Sequence, residues 1–367
     1  MTQKISIIGD GIIGNMIAVA LDDLNFNVTV FHDEHKKKTS ERYFSINHLS
    51  RYLFQDYDVW SLIKEKGVNS YSKIITWDNL QPEEVAFESR NINEYDLAYV
   101  IPESHIQSAI SNKIKKKSIK FENINNLGNS ANNYDYVINT VNNYDSSINS
   151  QNRYKINYAQ KAVVMNIDVD NSSNVAYQKF LDGQILGLIP ISEKSFNLIW
   201  SVDNKIIDNI LKKTKKEIIN FLNSELEEKI GKISSCSSYN IFPLFGYLRK
   251  NCFNEKKIYI GSALHSIHPL AGLGLNMGLQ DIYCLVSKIK KNSKRIDKLS
   301  LYEFQGLLRS INKQTYFGIN FLKKFYCDFT SPNLRKYLLR SFNSNIALKK
   351  SVIRFATGLK TKDKVSR

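Results

Sequence analysis

GSALHSIHPLAGLGLNMGLQD, residues 261–281, follows directly on the apolar run Ile258 to Ile260. Two histidines and a proline lead into a glycine-spaced turn at Gly272 and Gly274, and an amphipathic helix opens behind it. A strand, a glycine turn and a helix start in that order leave backbone N–H groups aimed at whatever fills the turn. The helix dipole adds partial positive charge, so the expected occupant is anionic or becomes so during its chemistry. The amides around Gly272, Leu273, Gly274 and Leu275 are the donors to watch.

A second motif stands at the other end of the chain. Ile5 to Ile8 reads as a buried strand, Asn15 to Leu24 as a helix, and Val28 to Phe31 as a second strand. Between the first two lies Gly9-Asp10-Gly11-Ile12-Ile13-Gly14, the GxGxxG spacing. There the first glycine makes the tight turn, the second admits a pyrophosphate, and the third lets helix and strand close up. Such a motif alone is weak evidence. Between a strand and a helix it predicts a dinucleotide site. An acid should end the second strand to bind a ribose; His32 occupies that place, with Asp33 or Glu34 one or two positions late.

Taken together, the two motifs resemble the FAD-dependent aromatic-ring monooxygenases of the para-hydroxybenzoate hydroxylase type, and within them the ubiquinone-biosynthesis hydroxylases. The resemblance rests on Gly261, His265, His268, Pro269, Gly272, Gly274, Asn276, Gly278 and Asp281, and on Gly187 to Pro190 and Leu198 to Ser201. Arg42 stands where such enzymes keep an arginine against the cofactor. The resemblance implies an α/β fold with a discontinuous Rossmann-like FAD-binding domain, a mixed β-sheet substrate domain and C-terminal helices. It implies FAD, reduced by NAD(P)H or another electron donor, and O2. A flavin hydroperoxide would hydroxylate the ring of a polyprenylated phenol. His268, Pro269 and Gly272 would then lie at the reaction centre. Gly9, Gly11, Ile12, Ile13, Gly14, Asp33, Arg42, Gly261, Ser262, His265, Gly272, Leu273, Gly274, Leu275 and Asn276 would hold the cofactor. For the two histidines a plainer role stays open, as rings satisfied by backbone carbonyls. Phe242, Pro243 and Leu244 would border the active site.

Departures from the family pattern accompany the matches. The Gly-Asp pair is Gly261-Ser262, and the Ala-Asp-Gly of the middle motif is Thr140-Val141-Asn142. Exchanging a charged hydrogen bond for a neutral one costs about 1 kcal/mol, so such losses weaken a cofactor site without abolishing it. They keep two alternatives in view: a non-catalytic partner in a quinone-biosynthesis complex, and another flavin-dependent oxidoreductase such as an isoprenoid reductase.

The 367 residues suffice for two joined domains. The expected division is 1–64, 99–149 and 258–291 for FAD, 65–98 and 150–257 for the substrate sheet, and 292–367 for helices. Ile206 to Leu226, Tyr302 to Phe325 and Leu334 to Phe355 have helical spacing. Four scattered cysteines without metal spacing read as reduced thiols. The absence of a leader pattern fits a cytoplasmic protein. The net charge of +16 is carried by lysine runs such as Lys36 to Lys38 and Lys212 to Lys216. It reads first as solvated surface and second as peripheral contact with the inner face of an anionic membrane, through Leu348 to Lys364. No nucleic-acid module accompanies it.

Overall fold

Ile5, Ser6, Ile7 and Ile8 are all buried, as a strand covered on both faces of a parallel sheet must be. They form β1 (Lys4–Ile8), and α1 (Ile12–Asp22) carries the chain to β2 (Asn27–His32), parallel to β1 with Ile5 opposite Val28. This is a computed structural model describing residues 2–33, 41–79, 84–127, 133–142, 152–327 and 331–366. Glu34, the Lys36 to Lys38 run and part of the Asn-rich tract lie outside the described residues.

After β3 (Tyr43–Ile46) come α2 (His48–Asp56) and α3 (Val59–Lys64). β4 (Asn69–Tyr71) joins β3 in a small sheet, while β5 (Lys73–Asp78) and β6 (Val85–Glu88) leave for a larger one. β7 (Ala98–Pro102) completes the small sheet, in the order β3-β7-β4. α4 (Glu103–Ile114) leads back to the first sheet through β8 (Lys120–Asn123) and β9 (Tyr136–Asn139).

The large antiparallel-rich sheet is built from β10 (Arg153–Val169), β11 (Val175–Leu181), β12 (Gln184–Ser192) and β13 (Ser195–Asp203). A tight hairpin at Glu193-Lys194 joins the last two. The helical spacing from Ile206 to Leu226 resolves into α5 (Ile207–Leu211) and α6 (Lys215–Ile230). Thr214 separates them because its hydroxyl accepts from Glu217 N in a capping box. Trp200, fully buried, stacks on Phe221 of α6 at 5.1 Å. β14 (Ile233–Cys236) and β15 (Asn240–Arg249) pair with β10.

β16 (Phe253–Asn254) and β17 (Lys257–Tyr259) finish the first sheet, ordered β16-β17-β9-β1-β2-β8. β18 (His265–Ser266) then finishes the large one, β18-β15-β10-β13-β12-β11-β5-β6. Strand pairing therefore crosses the boundary expected near residue 258, in both directions. α7 (Gly274–Lys291) and α8 (Lys298–Cys327) follow, then α9 (Pro332–Ser344), α10 (Ile346–Ala356) and α11 (Leu359–Val365). The single helix expected over Leu334 to Phe355 breaks at Asn345, whose side chain accepts from Leu348 N and starts α10 afresh. Buried Arg335 ties α9 to β5 through Asp78 at 2.8 Å.

Candidate functional site

The first glycine turn is shaped by close approach at one position and open space at another. A Cβ on Gly14 would lie 1.7 Å from the Gly9 carbonyl oxygen, so only glycine lets α1 press onto the end of β1. At Gly11 a Cβ would meet nothing within 4 Å. Gly11 is also the N-cap of α1; no side chain caps the helix and no acid stands in its first turn. The N–H groups of Ile12, Ile13 and Gly14 thus lie at an uncapped helix start beside free space, the layout that accepts a phosphate. Asp33 is exposed just past the end of β2.

The second turn meets the first through one side chain. A Cβ on Gly278 would sit 2.7 Å from Ile13 Cδ1, and one on Gly261 3.1 Å from Ile13 Cγ2. Ile13, in the first turn of α1, therefore nests on bare backbone of both the 261 turn and α7. At the start of α7 no side chain caps the helix, no acid stands in its first turn, and Gly274 faces open space. Gly272, at φ +60°, turns the chain into it.

A buried polar frame holds this turn. Asp281, with no exposed surface, accepts from Gly261 N at 2.9 Å, His265 Nε2 at 2.8 Å and Asn312 Nδ2 at 3.4 Å. Asn276 is committed on every side. Its Nδ2 donates to Ser45 O and Gly272 O; its Oδ1 accepts from Asn47 N and Ser50 Oγ. His265 and Asn276 thus direct their side chains to the protein, so any hold that Asn276 has on a cofactor runs through its backbone at the helix start. Asn276→Ala should cost about 2–4 kcal/mol by stranding these buried partners, read as a lower urea midpoint. An unchanged midpoint would show that water replaces the amide without loss.

His268 is buried against Tyr158, ring to ring at 5.0 Å, with Nε2 3.1 Å from Gln160 Oε1. Its N–H donates to Tyr158 Oη, which donates in turn to Asn320 Oδ1. Burial, with a smaller contribution from Lys323, pushes the His268 imidazole down to about 3, and burial pushes the Tyr158 hydroxyl up to about 12. The ring is therefore neutral. In the unfolded chain it takes a proton below about pH 6.5, so between these values the unfolded state binds more protons and stability falls with falling pH. Buried His48, lowered mainly by burial, acts in the same direction. Denaturant titrations at pH 7 and pH 5 should show His268→Gln losing about 2 kcal/mol less on acidification than the parent. Equal losses would mean that the native ring takes up protons freely.

The remaining positions are distributed around this centre. Ser262 Oγ donates to Thr140 O, and Thr140 Oγ1 donates to Ile8 O, so the altered middle motif is stitched to both turns. Asn142 accepts from Arg153, whose guanidinium lies over the Tyr247 ring. Tyr247 Oη donates to Ser262 O, and Arg249 Nε donates to Ala263 O. Arg42 forms a two-pronged pair with Glu103 at the start of α4. Leu270 and Leu273 pack into an apolar cluster with Phe180, Ile185, Ile319 and Tyr326, where the large sheet, α8 and α9 meet. Asp281 stood in the sequence only as the last position of the family's glycine motif. Tyr158 and Gln160 were not legible, because they flank a bulge at Ala159, φ +51°, that no local pattern announces.

Comparison with known proteins agrees with this geometry. Residues 146–295 match the FAD binding domain family. The ubiquinone biosynthesis monooxygenase COQ6 of Danio rerio is 23% identical over 96% of this chain and 89% of its own length. The ubiquinone hydroxylase UbiM of Neisseria meningitidis is 27% identical over 51% of this chain and 42% of its own. In sequence the chain is thus similar to flavin-dependent monooxygenases. PqsL of Pseudomonas aeruginosa superimposes with a TM-score of 0.75 over 93% of this chain and 100% of PqsL, at 13% identity, a likeness of fold.

The residues present fit the FAD of such a monooxygenase. Two uncapped helix starts, each fronted by a glycine that opens on space, supply donors for a pyrophosphate and for a ring carbonyl or its anion. The wedge of Ile13 holds them together in one body.

Proposed function

We propose that this protein is an FAD-dependent hydroxylase acting on the aromatic ring of a polyprenylated phenol in ubiquinone biosynthesis, with O2 as oxidant and NAD(P)H or another donor as reductant. The observation that carries the reading is the meeting of the two glycine turns at Ile13, which joins two uncapped helix starts as one elongated ligand requires. The names of the relatives COQ6 and UbiM support the pathway. Reduced FAD would supply the oxygen-transferring chemistry along the route set out above.

The chain's own residues have definable parts. Gly11 to Gly14 hold the pyrophosphate by backbone N–H groups, with Asp33 toward the adenosine ribose. The amides from Gly272 to Leu275 stabilise negative charge on the reduced ring system. Pro269 and Gly272 fix the turn that walls the reaction space. His268, kept neutral, adds no charge there, and its contacts with Tyr158 and Gln160 hold the loop in register. The apolar cluster around Phe180 and Leu270 suits a hydrophobic substrate and the exclusion of water. Arg42 would face the cofactor with Glu103 as its partner.

Two measurements test the reading. Purified protein should be yellow, or take up added FAD with a shift in flavin absorbance. A strain lacking the gene should accumulate an unhydroxylated polyprenyl phenol. Colourless protein that ignores FAD would favour a scaffolding role, consistent with the altered middle motif. Flavin binding without the precursor would point to another oxidoreduction, such as isoprenoid reduction.

A further inference from the structure

We propose that α9, together with the exposed side of α8 and the start of α10, is the surface by which this protein sits on an anionic lipid bilayer. A helix covering one core needs one apolar face. α9 has two. Leu339 and Phe342 pack toward the cluster that includes Leu270 and Phe180, while Leu334, Tyr337 and Leu338 turn the other way into solvent, Tyr337 with 69% of its surface exposed. On α8, Phe317 and Phe321 lie one turn apart and exposed, whereas Tyr316, Ile319 and Asn320 between and beside them are buried. Ile346, Leu348 and Val352 of α10 are exposed as well, and Ile353 is that helix's buried residue.

Charge selects the occupant. From Phe304 to Ala356 the sequence has ten Lys and Arg and one acid, Asp328. Arg335 is spent on Asp78 inside the fold, whereas Lys324 and Lys350 are exposed among the apolar side chains. A second copy of the same face would set cations against cations, whereas an anionic headgroup layer offers counter-charge outside and hydrocarbon beneath. α9 has 13 residues, and among the described residues no helix is long and apolar enough to cross a membrane. An amphipathic helix of that kind lies in the interface. The inner side of the same helices covers the apolar cluster at the second glycine turn, so a prenyl chain drawn from the bilayer would meet that cluster; this clause rests on the function proposed above.

Sedimentation of the full chain with vesicles tests the surface without turnover. It should bind phosphatidylcholine vesicles containing about one-third phosphatidylglycerol and leave them at high salt. Phe321→Ser/Tyr337→Ser/Leu338→Ser should weaken that binding by at least about tenfold, and so should Lys324→Glu/Lys350→Glu. Circular dichroism melts check that each variant folds. If the apolar triple shifts the melt, the charge pair carries the test. A parent that stays in the supernatant overturns the proposal, as do folded variants that bind like the parent. So would a parent dimer that the apolar triple separates and that ignores vesicles. Vesicle binding by protein that takes no flavin would sink the hydroxylase reading and leave this surface standing.

Discussion

Gly11→Val should leave a folded protein without flavin, and Gly14→Ala should leave neither. At Gly11 the backbone is extended, φ −74° and ψ −175°, which valine adopts readily, and the new side chain enters open space. The fold should lose only about 1 kcal/mol, the cost of a poorer N-cap. The same side chain occupies the place a pyrophosphate would take, so FAD affinity should fall by at least about a hundredfold, some 2.7 kcal/mol. At Gly14 the added carbon would meet a carbonyl oxygen at 1.7 Å, and α1 would have to leave β1. Overpacking of that kind should cost 3 kcal/mol or more. Thermal melts of the flavin-free proteins and FAD titrations separate the two effects. If Gly11→Val binds FAD as tightly as the parent, the ligand does not approach this turn.

Asp281→Ala should be as damaging as any single change outside the glycine turns. The carboxylate has no exposed surface and gathers the Gly261 N–H, the His265 ring and the Asn312 amide. Removing it strands these donors in the interior, for a loss of about 3–5 kcal/mol. The Gly261 turn is held by this group from one side and packs on Ile13 from the other. Flavin affinity should therefore fall along with the urea midpoint. His265→Ala removes one of the stranded partners. The double variant should then be less unstable than the sum of the singles, with a coupling of 0.5–3 kcal/mol. Strict additivity would show that His265 and Asp281 do not act on each other and that no polar frame holds the Gly261 turn.

Much of the site could be read in the chain because its chemistry is local. A glycine pressed against a neighbouring carbonyl, a strand that feeds a helix start, and an apolar run buried on both sides are each fixed within a few residues. Gly9 to Gly14 and Gly272 to Gly274 carry them openly. The same local rules misjudged Leu334 to Phe355, where apolar spacing continues through Asn345 although its side chain starts a new helix.

Two strand–turn–helix units with donors for an anionic ligand follow from residue order, since steric and dipolar rules act between neighbours along the backbone. Tertiary structure alone decided that Ile13 seats on Gly261 and Gly278, that Asn276 spends its amide on residues 45 to 50 and Gly272, and that Tyr158 reaches His268 across a bulge. Those contacts join residues up to 265 positions apart, as Ile13 and Gly278 are. Their partners are chosen by how whole sheets and helices stack, which no short stretch encodes.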